Sequence, residues 1–389
     1  RILSMSAVRK IERGLCEEKM ELKLTEINKD IVNRPYASII QWAEQRLKLV
    51  GSKTFPMIAL MPISLIAPDM PYQDRKIRSN INVLVLSPSG SAKTSLTEAF
   101  GEITYSPLSF NDITKAKFIE KIAGRTDISF YCGDIYTVFR DPKLMKILEG
   151  ILGEEKKISS ENMRIEINQD INAIFLGAGL PSSLTTYASM GMLRRLTPVV
   201  MFHSKEEKDD INLHVTKGMF NTNPKVVHSI QIKEFYQKIY NIQKGNDDEF
   251  EAVEGYIVDE KFKDKIYEKH KELSSPFKNE QYLVTELQSG FRYMCNHAML
   301  NIFNRKIEDK GFARRIVIEE EDFEIAKNLM EMEMRMKFFI YTSNRAVKTS
   351  TNVLQLYNSI LNNNEMDITY KNIARIFLEE AIGKRIKAQ

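Results

Sequence analysis

NVLVLSPSGSAKTSL, the sequence from Asn82 to Leu96, is the clearest indication of fold class in this chain. An apolar run at 83–86 enters a loop of small residues, which ends in Lys93-Thr94-Ser95 at the start of an amphipathic segment. This order predicts a strand, a phosphate-binding loop and a helix, with backbone N–H groups and the helix N-terminus facing the phosphates. In such loops a lysine reaches the β- and γ-phosphates and a hydroxyl holds Mg²⁺.

The loop differs from the pattern G-x-x-x-x-G-K-[ST] at both glycine positions, which Ser87 and Ala92 occupy. The flanking strand and helix still match the context that the motif requires. We therefore predict that ATP binds here, with Lys93 as a catalytic residue and Thr94 as a Mg²⁺ ligand. The predicted cofactor-binding residues are Ser87, Pro88, Ser89, Gly90, Ser91, Ala92, Lys93, Thr94 and Ser95. The alternative is an ordinary Ser/Gly turn that happens to contain Lys-Thr.

The composition is that of a globular protein with a substantial core. The chain has 389 residues, of which 43% are apolar and 28% are charged, with both signs mixed. Its net charge of +4 permits a nucleic-acid partner without requiring one. Three scattered cysteines without a C-x-x-C pair predict small buried side chains in a reducing cytoplasm. No apolar stretch approaches the ~20 residues of a transmembrane helix, so we expect a cytoplasmic protein without a membrane partner.

Buried strands alternate with helices from about residue 80 onward. The predicted strands are 81–86, 128–133, 171–178 and 197–202, and the predicted helices lie near 94–101, 114–123 and 142–152. Strands joined by crossover helices predict a parallel sheet with both faces covered, an α/β fold. Beyond residue 204 the pattern predicts an almost wholly helical chain up to about residue 340.

These patterns divide the chain into four predicted parts. They are an N-terminal helical segment (1–55), an α/β core (56–203), a helical lid (204–341), and a linker with a small terminal unit (342–389). The terminal unit is predicted to be either the opening of a winged helix or a plain helical hairpin.

Further residues are suitably placed for ATP hydrolysis. Asp134 follows the predicted strand 128–133, where a carboxylate holds Mg²⁺ and polarises water in phosphate-loop ATPases. Gly133 stands before it, so one acid of the usual pair is missing. Two arginines, Arg194 and Arg195, lie just before the strand 197–202, where an arginine could stabilise transition-state charge across a subunit interface. The alternatives are a turn residue for Asp134 and a helix C-terminal arginine for Arg195.

The order of these features resembles the AAA+ ATPase module of the minichromosome maintenance (MCM) helicases, over roughly residues 60 to 335. Residues 81–94 are similar to that family's INxLLxGDPGxAKS, including the alanine before the lysine. Residues 193–196 are similar to LSRF, which implies that Arg195 is the arginine finger acting on a neighbouring subunit. Further similarities to DxxDxxxD, RQLE, AHA and xDVxxA lie at 204–210, 285–288, 296–298 and 321–326.

Three positions depart from the family pattern. Gly133 replaces the first acid, Leu180 the sensor-1 asparagine, and Thr285 the sensor-2 arginine, although Arg292 lies two turns further on. These changes affect hydrolysis more than nucleotide binding. They fit a divergent archaeal, viral or plasmid relative, or a partly degenerate ATPase.

The resemblance also implies a DNA-binding hairpin between the helix 142–152 and the strand 171–178. Alternation at 163–167 after turn formers at 159–162 predicts such a hairpin. Lys156, Lys157 and Arg164 are the candidates for contacts with DNA phosphates, which would be independent of base sequence. A solvated hairpin balanced by neighbouring glutamates is the alternative.

The function implied by the resemblance is that of an ATP-dependent, ring-forming DNA helicase or translocase that acts in DNA replication. It implies a homo-hexamer with single-stranded or duplex DNA in a central channel, and replication proteins as further partners. Two other functions stay open: an AAA+ remodeller or loader, and a nucleotide-dependent scaffold with weak or lost hydrolysis.

Overall fold

A computed structural model describes residues 29–47, 54–72, 74–87, 90, 92–153, 171–180, 195–201, 208–209, 211–213, 216, 226–275, 283–310 and 313–348. The strands in these ranges are β1 (Met70–Tyr72), β2 (Arg75–Ile77), β3 (Val83–Leu86), β4 (Pro107–Ser109), β5 (Asp127–Cys132), β6 (Asn172–Gly179), β7 (Thr197–Val200), β8 (Gly255–Ile257), β9 (Ile307–Lys310) and β10 (Ala313–Val317). The helices are α1 (Lys29–Asn33), α2 (Pro35–Leu47), α3 (Phe55–Ala59), α4 (Met61–Ser64), α5 (Lys93–Ile103), α6 (Lys115–Ile122), α7 (Ile135–Phe139), α8 (Pro142–Leu152), α9 (Val226–Gln243), α10 (Glu260–Ser274), α11 (Leu283–Leu300) and α12 (Glu320–Lys348).

Within the described ranges, the centre of the fold is a five-stranded parallel sheet in the order β4-β5-β6-β3-β7. The register places Val83 of β3 opposite Leu176 of β6 and Thr197 of β7. The four predicted strands are therefore confirmed, as is the α/β class. The edge strand β4 was missed because it has only three residues and begins with a proline, which weakens any strand pattern.

Both faces of this sheet are covered, because successive side chains of its strands point to opposite sides. On one side Val83 and Val85 belong to a cluster with residues of α2, α5, α9, α11 and α12. On the other side Leu84 and Leu86 belong to a cluster with residues of α6, α7 and α8. Continuous apolar runs such as VLVL in β3 are explained by this two-sided burial.

The prediction of an almost wholly helical chain beyond residue 204 was wrong for three short segments. Among the described residues, β8, β10 and β9 form a second sheet in that order, with β10 parallel to β8 and antiparallel to β9. The strands β9 (IEDK) and β10 (ARRIV) are short and rich in charge, and β8 has only three residues, so no period-2 pattern marks them. The remaining elements described in this region are mainly the long helices α9 to α12.

The N-terminal helices pack against the helix that follows the phosphate loop. Trp42 of α2 contacts Phe100 of α5 edge to face, with ring centroids 5.4 Å apart. Its indole Nε1 donates to Ser229 Oγ of α9 at 3.0 Å. Residues 29–33 and 35–47 are thus helical, as predicted, and α2 packs against α5. Residues 1–28 and the terminal unit from 349 lie outside the described residues. No helix in the described ranges is long and apolar enough to cross a membrane.

Candidate functional site

The described residues of the loop between β3 and α5 include two with positive φ. Ser87 N donates to Gly179 O of β6 at 3.1 Å, which fixes the loop's first residue to the neighbouring strand. Gly90 has φ 78° and Ala92 has φ 58°, so both occupy the left-handed region. Backbone concavities that bind anions through successive N–H groups use residues in the left-handed conformation. Pro88, Ser89 and Ser91 lie outside the described residues.

Ala92 is the conformational outlier of this loop. A residue with a Cβ pays roughly 1–2 kcal/mol for the left-handed conformation, which persists only where the surroundings impose it. Ala92 immediately precedes α5, whose first N–H groups have no partner within the helix. The strained backbone at Ala92 therefore directs the chain into α5, at the end where the helix N–H groups have no intrahelical partner.

The predicted cofactor-binding side chains lie at the start of α5. Lys93 is its first residue, and its Nζ donates to Ser87 O at 2.8 Å across the loop. Thr94 and Ser95 follow on the first turn and are exposed. The lysine ammonium thus lies against the loop, and two hydroxyl-bearing residues follow it on the first turn of α5.

Asp134 lies at the same edge of the sheet, where the strands have their carboxyl ends. It follows β5, and β6 separates β5 from β3, so the two strand ends are about 10 Å apart at the usual strand spacing. Its exposed side chain accepts from Tyr136 N at 3.1 Å and caps the short helix α7. Both predicted roles, metal ligand and turn residue, are compatible with this position.

Gly133, which stands where a first acid is expected, is in close contact with Asn111. Asn111 Oδ1 accepts from Gly133 N at 2.8 Å, and a Cβ added at residue 133 would lie 2.8 Å from that same oxygen. Asn111 follows the edge strand β4, so it is a polar residue at the carboxyl edge that the sequence reasoning missed. Asn111 could have been identified as a polar residue after a strand only if the sequence had also predicted the strand β4.

Leu180 and Cys132 complete this edge with apolar groups. Leu180 directly follows the Gly179 carbonyl that accepts from Ser87, and it is 40% exposed. A leucine at this place has no hydrogen-bonding group for a phosphate. Burial raises the pKa of the Cys132 thiol to about 12, so it remains a neutral, unreactive group beside the site.

Arg195 lies at the opposite, amino edge of the sheet. It is two residues before Thr197, which pairs with the first residue of β3, whereas Ser87 follows the last residue of β3. Six residues of extended chain correspond to about 20 Å, so the phosphate loop of its own chain is out of reach. The exposed guanidinium lies beside Gly153 at the end of α8, where an added Cβ would be 3.4 Å from Arg195 Nε.

Asn82 fixes the backbone at Arg195. Its side-chain Nδ2 donates to Arg195 O at 3.2 Å, while its Oδ1 accepts from Phe175 N of β6 at 3.0 Å. Thr197 N donates to the Asn82 carbonyl at 2.7 Å. The buried side-chain amide of Asn82, which directly precedes β3, thus joins β3 to β6 and to the chain at Arg195 (the arginine segment).

We expect Asn82→Ala to lower the free energy of unfolding by about 2 kcal/mol, because it leaves buried backbone groups at Phe175 and Arg195 without their partner. Urea unfolding of the two proteins measures the difference. The exposed Asn246 provides the control, since Asn246→Ala should stay within about 0.5 kcal/mol of the unaltered protein. Equal effects of the two substitutions would show that the Asn82 side chain does not hold these segments together.

Several residues named by the sequence analysis fall elsewhere. The described residues do not include Lys156, Lys157, Arg164 or Arg194. The side chain of Thr285 is not described either. Arg292 Nε donates to Arg78 O at 2.9 Å at the amino edge, so it does not replace a sensor arginine beside the phosphate loop.

No protein-family model matches this chain, and a search of curated proteins finds none with significant similarity.

Proposed function

We propose that this protein is an ATP-dependent, ring-forming DNA translocase or helicase of the MCM-like AAA+ class. The observation that carries the proposal is the separation of its candidate residues between two edges of one sheet. Lys93, Thr94 and Asp134 lie at the carboxyl edge, and Arg195 lies at the amino edge. A complete hydrolytic site then forms only where the amino edge of one subunit meets the carboxyl edge of the next.

The phosphate loop suits the triphosphate of ATP. The left-handed Gly90 and Ala92 turn the backbone towards an anion, and the Lys93 ammonium lies at the loop's mouth. Mg²⁺ bound with ATP neutralises charge on the β- and γ-phosphates. The Thr94 hydroxyl and the Asp134 carboxylate would hold it, with waters and phosphate oxygens as its other ligands. No cluster of three or more histidine, cysteine or acidic residues suited to a metal occurs in the described part of the chain.

The residues then have separate roles in hydrolysis. Lys93 moves from its contact with the Ser87 carbonyl to the β- and γ-phosphates. Asp134 orients the attacking water or the metal. Arg195 of the adjoining subunit neutralises charge that develops on the transferred phosphoryl group, a contribution typical of arginine fingers.

A second candidate function is a nucleotide-dependent scaffold that binds ATP but hydrolyses it slowly. Two observations favour it: Leu180 presents no polar group beside the loop, and Asn111 occupies the space that a first acid at residue 133 would need. ATP turnover separates the two functions, because a scaffold binds nucleotide without DNA-stimulated release of phosphate. An AAA+ remodeller would hydrolyse ATP without stimulation by DNA.

The DNA contact is proposed for the segment between Gly153 and Ile171, which carries Lys156, Lys157 and Arg164. Gly153 lies beside Arg195 at the amino edge, so the residue that directly precedes this segment is next to the proposed subunit interface. Movements of that interface during the ATP cycle would therefore be passed to the DNA-binding residues.

We expect the double substitution Lys156→Ala with Lys157→Ala to weaken DNA binding and abolish stimulation of the ATPase by DNA, with nucleotide binding unchanged. Each lysine on a phosphate releases about one counterion, so the slope of log K against log salt should fall by roughly 1 to 2. Phosphate release with and without single-stranded and duplex DNA, and DNA affinity at several salt concentrations, are the measurements.

Lys261→Ala with Lys263→Ala on α10 removes the same charge elsewhere and serves as the control. The loss should be similar for unrelated DNA sequences, because backbone contacts do not distinguish bases. Unaltered affinity of the Lys156/Lys157 variant at every salt concentration would favour the remodeller or the scaffold over the helicase.

A further inference from the structure

The amino edge contains a buried ion pair that the proposed hydrolysis does not use. Lys337 Nζ and Glu333 Oε1, one turn apart on α12, are 2.7 Å from each other, and each side chain is only 2% exposed. Two apolar residues of similar volume would pack at least as stably at such a place, because burying charges is costly. Stability alone therefore does not account for this pair.

Glu333 connects α12 to two other elements. Its Oε2 accepts from the Tyr293 hydroxyl of α11 at 2.5 Å, and its Oε1 is 3.5 Å from Thr197 Oγ1 of β7. The Tyr293 and Thr197 hydroxyls are 3.2 Å apart. Burial and the Glu333 carboxylate hold the pKa of Tyr293 well above 10, so its hydroxyl remains a donor at neutral pH. Such charge-assisted hydrogen bonds fix geometry more strictly than apolar contacts do.

The fixed residue, Thr197, is two positions from Arg195. Its backbone N donates to the carbonyl of Asn82, whose side chain in turn donates to Arg195 O. A small cavity of about 20 Å³, room for one water molecule, is lined by Glu333, Tyr293 and Arg195 among others. The charged cluster on α12 therefore reaches the arginine segment through one strand residue and one small polar cavity.

We infer that Glu333 is a positioning residue for Arg195, holding the start of β7 so that the guanidinium is presented to the adjoining subunit. This inference rests on the proposed function, since it assigns Glu333 to the subunit that donates the arginine and not to the subunit that binds the nucleotide. It also makes α12, the last helix of the predicted lid, part of the arginine-donating surface.

Mixed rings test this assignment directly. In a mixture of Lys93→Ala and Arg195→Ala subunits, hydrolysis occurs only where an intact arginine from the first meets an intact loop from the second. Glu333→Gln is then added either to the arginine donor (with Lys93→Ala) or to the loop donor (with Arg195→Ala). We expect at least a tenfold loss of phosphate release in the first placement and a change within twofold in the second.

A purely structural role for Glu333 would lower hydrolysis equally in both placements, and that result, or no loss in either, would overturn the inference. Tyr293→Phe keeps the ion pair but removes the hydroxyl between Glu333 and Thr197, and it should show the same asymmetry should Glu333→Gln fail to fold. Tyr236→Phe is the matched control, because it removes a buried hydroxyl that donates to Ala59 O and does not line the cavity beside Arg195.

Failure of the proposed function gives a different result. If the mixture with Glu333 unaltered releases no phosphate in rings shown to be mixed, Arg195 does not act between subunits, and the proposed role of Arg195 and the inference about Glu333 are both overturned before any change at residue 333. If that mixture is active and the two placements of Glu333→Gln are equivalent, only the inference about Glu333 is overturned.

Discussion

Lys93→Ala is expected to abolish ATP binding and to leave the fold intact. Lys93 is the only cationic side chain between residues 83 and 96, so nothing else in the loop neutralises the β- and γ-phosphates. A hydrogen bond to a charged group contributes about 1.5–3 kcal/mol, and here the charge attraction is lost with it. In the unaltered chain the ammonium donates to the Ser87 carbonyl of the loop, and α5 stays anchored by buried apolar residues.

Binding of a fluorescent ATP analogue, with circular dichroism to monitor the fold, measures this effect. Lys115→Ala is the matched control, because Lys115 is likewise the first residue of a helix, α6, but follows no phosphate loop. Its nucleotide affinity should equal that of the unaltered protein. A Lys93→Ala protein that binds nucleotide with normal affinity would remove the phosphate-loop assignment.

Arg195→Ala is expected to leave ATP binding within about twofold and to lower hydrolysis by roughly 10³–10⁵, the range for arginine fingers. The physical reason is that Arg195 lies at the amino edge, away from the loop of its own chain. Under the proposed function, its guanidinium would contribute nothing to binding there and would act only on a neighbouring subunit. Single-turnover phosphate release and nucleotide titration separate the two quantities.

Mixing Arg195→Ala with Lys93→Ala subunits should restore part of the activity, since intact loops then meet intact arginines at some interfaces. Each variant alone is the control for residual hydrolysis. Lack of rescue in rings shown to be mixed would transfer the role to Arg194 or leave Arg195 with a structural one.

The sequence was sufficient to predict the central sheet because its strands are buried on both faces and carry continuous apolar runs. The strands β3, β5, β6 and β7 show this pattern, and the loop after β3 shows the residue types that phosphates require. Short strands escaped prediction, since three residues of β4 or β8 give no period to detect.

The interactions that position the candidate site were not predictable in the same way. Asn111 and Gly133 are 22 residues apart, Asn82 and Arg195 are 113 apart, and Thr197 and Glu333 are 136 apart. Each pair meets only because of the strand order and the packing of α12, which no local pattern specifies. Glu333 also lies one turn from Lys337 on a helix, where such a pair usually indicates a solvated face.

The contact between Gly133 and Asn111 limits the routes by which this site can change. An acid at residue 133 would put its Cβ against the Asn111 side-chain oxygen, so that side chain would have to move away from Gly133 N. Shortening Asn111 first would remove the acceptor for Gly133 N and loosen the end of β5. A change at either position therefore disturbs the hydrogen bond between the two residues. The residue type at position 133 is in this sense coupled to the residue type at position 111.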